Sequence, residues 1–275
     1  MTRVALFQAT SGIDPAVNAA ALTDAIEQAS GGGAEILFTP EMTGLLDRDS
    51  ARAAKALRSQ DEDQVLAAAK EAAARHRIWV NIGSLAVLVD DGKVANRSFV
   101  IDREGAVRAT YDKLHLFDVD LPTGESWRES NVYSPGAGVT LVNGTPVGKL
   151  GLTICYDLRF PGLFARLAES DADVITVPAA FTVPTGKAHW HVLLRARAIE
   201  AGLFVVAAAQ VGHHEDGRNT FGHSLVVDPW GEILLDMGED KGVGFADIDL
   251  KRISDVRSRI PALNHRRPIP DAVAL

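Results

Sequence analysis

The 275-residue chain holds a single cysteine, Cys155. A lone thiol can form no internal disulfide, which favours a reducing compartment, and the cytoplasm is the expected location. Basic residues are also in short supply, with 28 Lys and Arg against 36 Asp and Glu and a formal charge of -8. That balance provides no basic face for counterion-driven binding, so no nucleic-acid partner is expected. No apolar run approaches the roughly 20 residues of a membrane helix, and no membrane association is expected. The opening MTRVALFQAT lacks the charged n-region and cleavage site of a secretory signal and reads directly as a strand. There is no HExxH, no CxxC and no carboxylate loop at metal-ligand spacing, so neither a metal nor another cofactor is expected. The glycines at 31–33 are followed by no GK[ST] and read as a turn rather than a phosphate loop. No linker or charge run divides the chain, and residues 1–275 are expected to form one domain.

What is present is an alternation of short apolar, β-branched runs with Ala-rich amphipathic segments. RVALFQA precedes a helix expected over about Pro15–Ser30, and AEILFTPEM precedes one over about Asp61–Arg77. IWVNIGSLAVLVD then leads into a stretch with Asp-Gly and Glu-Gly turns, the signature of antiparallel hairpins. The α/β order returns after Cys155 with a helix over about Pro161–Ser170, the strand DVITVPAAF, the helix AHWHVLLRARAIEAG and the strand LFVVAAAQVG. A final hairpin, HSLVVDPWGEILLD, follows. Strands apolar on both faces need cover on both sides, so these elements imply two mixed sheets with helices outside them.

Cys155 closes the strand KLGLTIC and is followed by FPGLFARLAES, a helix with Pro161 near its first turn. Position alone leaves an inert core thiol open, since buried cysteines are common. A strand-to-helix turn also resembles a nucleophile elbow, where free backbone N–H groups form part of an oxyanion hole and a helix N-terminus favours thiolate. A thiol with a pKa of about 8.5 is only a few per cent ionised at neutral pH, so a nucleophile here needs a base. No histidine lies in a papain-like or caspase-like context. Glu41, by contrast, ends the apolar strand EILFTP, and Lys113 ends the strand AVRATYD. A carboxylate, an ammonium and a thiol at three strand ends can converge on one rim.

The ordered segments ILFTPEM, YDKLHLFD and GLTICYDLRFP resemble the nitrilase superfamily of carbon–nitrogen hydrolases. RARAIE, VVAAAQ and GHSLVVDPWG extend the resemblance to its amidase branch, which includes deaminated glutathione amidases and omega-amidases. The resemblance implies a four-layer αββα sandwich and a catalytic set of Glu41, Lys113 and Cys155. It adds Glu129, in SWRESNVYSPG, as a second active-site acid that supports Lys113. Glu41 would be the base, and Lys113 with the Tyr156 N–H would hold the oxyanion formed when the sulfur attacks a small-molecule primary carboxamide. Phe181 and Thr182, after a core strand, are expected in the pocket wall, and Arg218 in the loop GHHEDGRNTFGHS as an anchor for a distal carboxylate. The alternatives are an omega-amidase, an N-carbamoyl amide hydrolase and a catalytically silent interaction module. The resemblance also implies a homodimer or higher homo-oligomer, with residues 251–275 as a C-terminal arm at the interface.

Overall fold

The computed structural model describes all residues except 90, 91, 121–123, 125, 274 and 275. One sheet runs in the order β17 (Gly242–Ile248), β1 (Thr2–Gln8), β2 (Ile36–Phe38), β4 (Trp79–Leu88), β5 (Val94–Ile101) and β6 (Val107–Asp112), with the short β3 (Arg58–Ser59) beside β4. Its β1, β2 and β4 are parallel, while β17 and the β4–β5–β6 meander pair antiparallel. The second sheet runs β16 (Ile233–Asp236), β15 (Leu225–Val227), β12 (Phe204–Ala207), β11 (Val174–Thr176), β10 (Gly148–Leu152) and β9 (Leu141–Thr145), again mixed. Two small ribbons stand apart: β7 (Asp118–Asp120) with β8 (Ser126–Arg128), and β13 (Val211–His213) with β14 (Asn219–Phe221).

The period of two in β1 explains the layering. Val4 and Leu6 join Phe38, Val100, Leu152 and Val206 in the core shared by the two sheets. Ala5, between them, faces outward with Leu37 and Val80 onto α1 (Pro15–Gly31) and α3 (Gln64–His76), where it meets Leu22, Ile26, Leu66 and Ala69. The second sheet is covered by α4 (Pro161–Glu169) and α5 (Val183–Ala201) through Phe164, Leu167, Trp190 and Leu194. The result is the four-layer αββα sandwich.

Some boundaries moved for local reasons. The helix expected from Asp61 starts at Gln64, because the Asp63 side chain accepts from the N–H groups of Val65 and Leu66 and fixes the start there. The helix read from AHWH starts earlier, at Val183, with Pro184 in its first turn. The short α2 (Ser50–Ala56) was not anticipated, and it buries none of its residues, so it carries no apolar stripe to read. Residues 251–275 begin as α6 (Lys251–Arg259), docked through Ile253 and Val256, with Arg257 donating to the carbonyls of Gly202 and Ala172.

Candidate active site

Glu41 lies in the turn just after β2. The turn rests on Gly83 of β4, where a Cβ would stand 2.1 Å from the Thr39 carbonyl oxygen and 2.4 Å from that of Pro40. Only glycine allows this approach, which sets the depth of Glu41 beneath the rim. Lys113 follows β6 directly, its N–H donating to the Asn96 carbonyl of β5. Cys155 follows β10 across the sandwich. Its φ of 48° is the left-handed conformation of a tight elbow, and its N–H donates to Pro178 O at 2.8 Å.

Asp157 holds this elbow in place. Its buried carboxylate accepts from Ile154 N at 2.9 Å, Tyr111 Oη at 2.7 Å and His115 N at 3.1 Å, and His115 Nδ1 lies 2.6 Å away. Tyr111 and His115 flank Lys113, so one carboxylate ties the lysine segment to the cysteine turn.

The side chains converge as a buried ionic cluster. Lys113 Nζ donates to Glu41 Oε1 at 2.8 Å and to Glu129 Oε2 at 2.9 Å, with only 2% of the lysine exposed. Asn96 Nδ2 bridges the same two carboxylates, at 3.0 Å from each. Ala180 N donates to Glu41 Oε2 at 3.0 Å, and the Cys155 thiol is within hydrogen-bonding reach of Glu41. Phe117 N secures Glu129 Oε2 at 2.6 Å.

These surroundings set the charge states. Burial, reinforced by the Glu41 charge, pushes the Cys155 thiol well up, against the opposing pull of Lys113. Burial also works to raise Glu41, but the Lys113 charge and hydrogen bonds from Lys113, Cys155 and Asn96 prevail and hold it below the ordinary carboxylate range. For Lys113, burial disfavours the cation, yet Glu129 and Glu41 together hold its pKa well above the usual value. The resting site is therefore a neutral thiol beside an ionised carboxylate and an ammonium. Desolvation and the neighbouring carboxylate keep the thiol protonated, the condition under which a nucleophile needs a base.

The remaining residues take separate places. No acceptor among the described residues takes the Tyr156 N–H, while its ring stands edge-on to Phe117 and Phe160. Phe181 is buried against Trp190, and the Arg159 guanidinium lies 5.5 Å over its ring and 5.9 Å over that of Tyr156. Thr182 heads α5, its hydroxyl 2.8 Å from that of Thr185. Arg218 stacks 5.0 Å over Trp127, two residues before Glu129, but its Nε already donates to Asp216 at 2.6 Å. It thus borders the Glu129 segment as a paired rather than a free cation.

Sequence reading missed Asn96, Asp157, Arg159 and the Ala180 N–H. Asn96 left only a weak signal, as the first of three successive polar residues, Asn96, Arg97 and Ser98, in the strand VANRSFVI. A buried mid-strand amide must find partners, and here they are two carboxylates.

A neutral thiol against an ionised carboxylate, with an ammonium and an unpaired backbone N–H close by, is equipped for acyl transfer through sulfur. The carbon–nitrogen hydrolase family model matches residues 3–258, and the chain belongs to that family. It is 38% identical over 273 residues to the deaminated glutathione amidase of Yersinia enterocolitica, covering 98% of this chain and 94% of that protein. The Caenorhabditis elegans NitFhit structure superposes with a TM-score of 0.89 at 38% identity, over 97% of this chain; the chain spans 65% of that longer one. An amidase from Nesterenkonia sp. AN1, solved as a Glu-to-Gln mutant with acrylamide added at its active-site cysteine, superposes with a TM-score of 0.79 at 26% identity, over 95% of this chain and 98% of that one.

Proposed function

We propose that this carbon–nitrogen hydrolase is an amidase that converts a primary carboxamide to a carboxylate and ammonia through a Cys155 thioester. The observation that carries the reading is the buried cluster in which Lys113 Nζ donates to both Glu41 and Glu129 while Glu41 also accepts from Asn96 and Ala180, at the rim where the Cys155 elbow lies. Glu41 takes the thiol proton as sulfur bonds to the amide carbon, and the carbonyl electrons move to an oxyanion held by Lys113 and the Tyr156 N–H. Each such donor contributes roughly 3 kcal/mol in comparable sites. Collapse breaks the carbon–nitrogen bond, and Glu41 gives its proton to the departing ammonia. Water, deprotonated by Glu41, then attacks the thioester, and the proton returns to sulfur. Glu129 fixes Lys113 and orients the amide nitrogen.

Deaminated glutathione is the proposed substrate, supported by the name of the Yersinia relative and by extensive identity along the chain. It carries an amide at one end and a glycine carboxylate at the other; Arg218, tied to Asp216 through Nε and laid over Trp127, has its two terminal nitrogens outside that pair to offer the distal anion. A cytoplasmic homo-oligomer is part of the same reading: Val192 and Ile199 on α5 and Trp230, Ile233 and Leu234 near β16 are exposed apolar side chains suited to self-contact.

Ammonia release from a panel of deaminated glutathione, α-keto acid ω-amides and N-carbamoyl compounds tests the assignment. Highest kcat/KM is expected on deaminated glutathione, with loss on thiol alkylation. Preference for the short keto-acid amide would move the reading to omega-amidase, and alkylation-insensitive turnover would remove Cys155 as nucleophile.

A further inference from the structure

A second group of metal-ligating side chains lies outside the ionic cluster. His191 Nε2 on α5 is 3.0 Å from Asp236 Oδ2, and His223 Nδ1, just before β15, is 2.9 Å from Asp236 Oδ1. One donor atom from each residue falls within 4.8 Å of the other two. Three separate elements thus present two imidazole nitrogens and one carboxylate to a common point.

We propose that His191, His223 and Asp236 bind one divalent transition-metal ion, with zinc as the reference ion. Two neutral nitrogens and one anionic oxygen are a borderline-soft donor set suited to Zn2+, Ni2+ or Cu2+ and unsuited to Mg2+ or Ca2+, which require oxygen shells. In the single chain all three side chains are partly exposed, at 32%, 22% and 32%, so the ion has an entry path and an open coordination position for water or for a donor from a second copy packed on α5.

The site is preorganised at His223. This residue holds a positive φ of 55°, its N–H donates to Gly238 O at 2.7 Å, and its carbonyl accepts from Trp190 Nε1 at 2.8 Å. Its ring stacks on Phe221 at 4.5 Å and meets the His191 ring edge-on at 5.0 Å. Asp236 is steadied in turn by the Gly238 N–H at 2.9 Å. Ordering these rings and the carboxylate in advance lowers the entropic cost of coordination. In the metal-free protein His191 Nε2 and His223 Nδ1 donate to Asp236; on binding each imidazole carries its proton on the other ring nitrogen, His191 Nδ1 and His223 Nε2, and the nitrogen facing Asp236 offers its lone pair to the ion. The ion would bolt the outer helix α5 to the hairpin of β15 and β16, a structural role distinct from the amidase chemistry.

The test is zinc titration of metal-stripped, full-length protein by calorimetry, alongside Co2+ absorption spectra of wild type, His191→Ala, Asp236→Asn and Cys155→Ala. The expected result is one ion per chain with micromolar affinity, weakened about 10- to 100-fold or more by His191→Ala or Asp236→Asn. Cys155→Ala should retain it, and the Co2+ spectrum should lack a thiolate charge-transfer band. Exposed His191 can lose its ring without unfolding the chain, which a circular-dichroism melt verifies. No uptake at millimolar zinc, or uptake that survives His191→Ala and disappears in Cys155→Ala, would overturn the proposal.

Discussion

Removing the Asn96 amide should change the pH dependence of catalysis. Its Nδ2 donates to Glu41 and Glu129 at 3.0 Å each, so Asn96→Ala deletes one hydrogen bond to each carboxyl group. A hydrogen bond to a charged group is worth about 1.5–3 kcal/mol, which corresponds to roughly one to two pKa units. Lys113 remains and holds Glu41 down more strongly than Asn96 does, so Glu41 rises toward the ordinary carboxylate range while staying under the hold of the lysine. The sign follows from the role of Glu41. As a base it must be ionised, activity falls as the pH drops through its pKa, and raising that pKa carries the acid limb of kcat/KM to higher pH. The assay is ammonia release across the pH range, since kcat/KM reports the free enzyme. A variant that folds normally and shows an unmoved acid limb would refute this account of how Asn96 acts on Glu41.

Cys155→Ala should bring hydrolysis to background with an unchanged melting curve, and measurable steady-state turnover would exclude the thioester route. Lys113→Met leaves the buried Glu41 and the partly buried Glu129 without their shared cation and should destabilise by about 3 kcal/mol in urea unfolding, with wild-type stability contradicting the ion-pair reading. Gly83→Ala forces a methyl against the Thr39 and Pro40 carbonyls; about 1–3 kcal/mol of lost stability together with reduced kcat is expected, measured by denaturation and ammonia release. Arg218→Ala should lower kcat/KM on deaminated glutathione about 10- to 150-fold while sparing a short keto-acid amide, and equal losses on both would rule out a distal anchor.

Glu41, Lys113 and Cys155 each follow a strand and so lie on a rim whatever the final register, but what singled them out was the resemblance of ILFTPEM, YDKLHLFD and GLTICYDLRFP to the nitrilase superfamily. Asn96 and Ala180 were harder to find, since their importance arises only when β5 and the segment after β11 are brought against Glu41. Arg218 was placed in a loop correctly, but its pairing with Asp216 depends on a turn geometry that spacing does not reveal. The sandwich followed from strands apolar on both faces, whereas α2, fully without buried residues, left no pattern. Charge states resisted reading for another reason: the raised thiol of Cys155 reflects three-dimensional desolvation, which the local turn does not encode.

Glu41, Asn96 and Lys113 belong to one sheet, and Cys155 to the other, with Asp157 bonded across to Tyr111 and His115. Neither sheet alone holds nucleophile and base together. During refolding, activity therefore returns only once the two sheets have docked. Recovered turnover reports that docking event, and a state with one sheet formed alone is chemically silent.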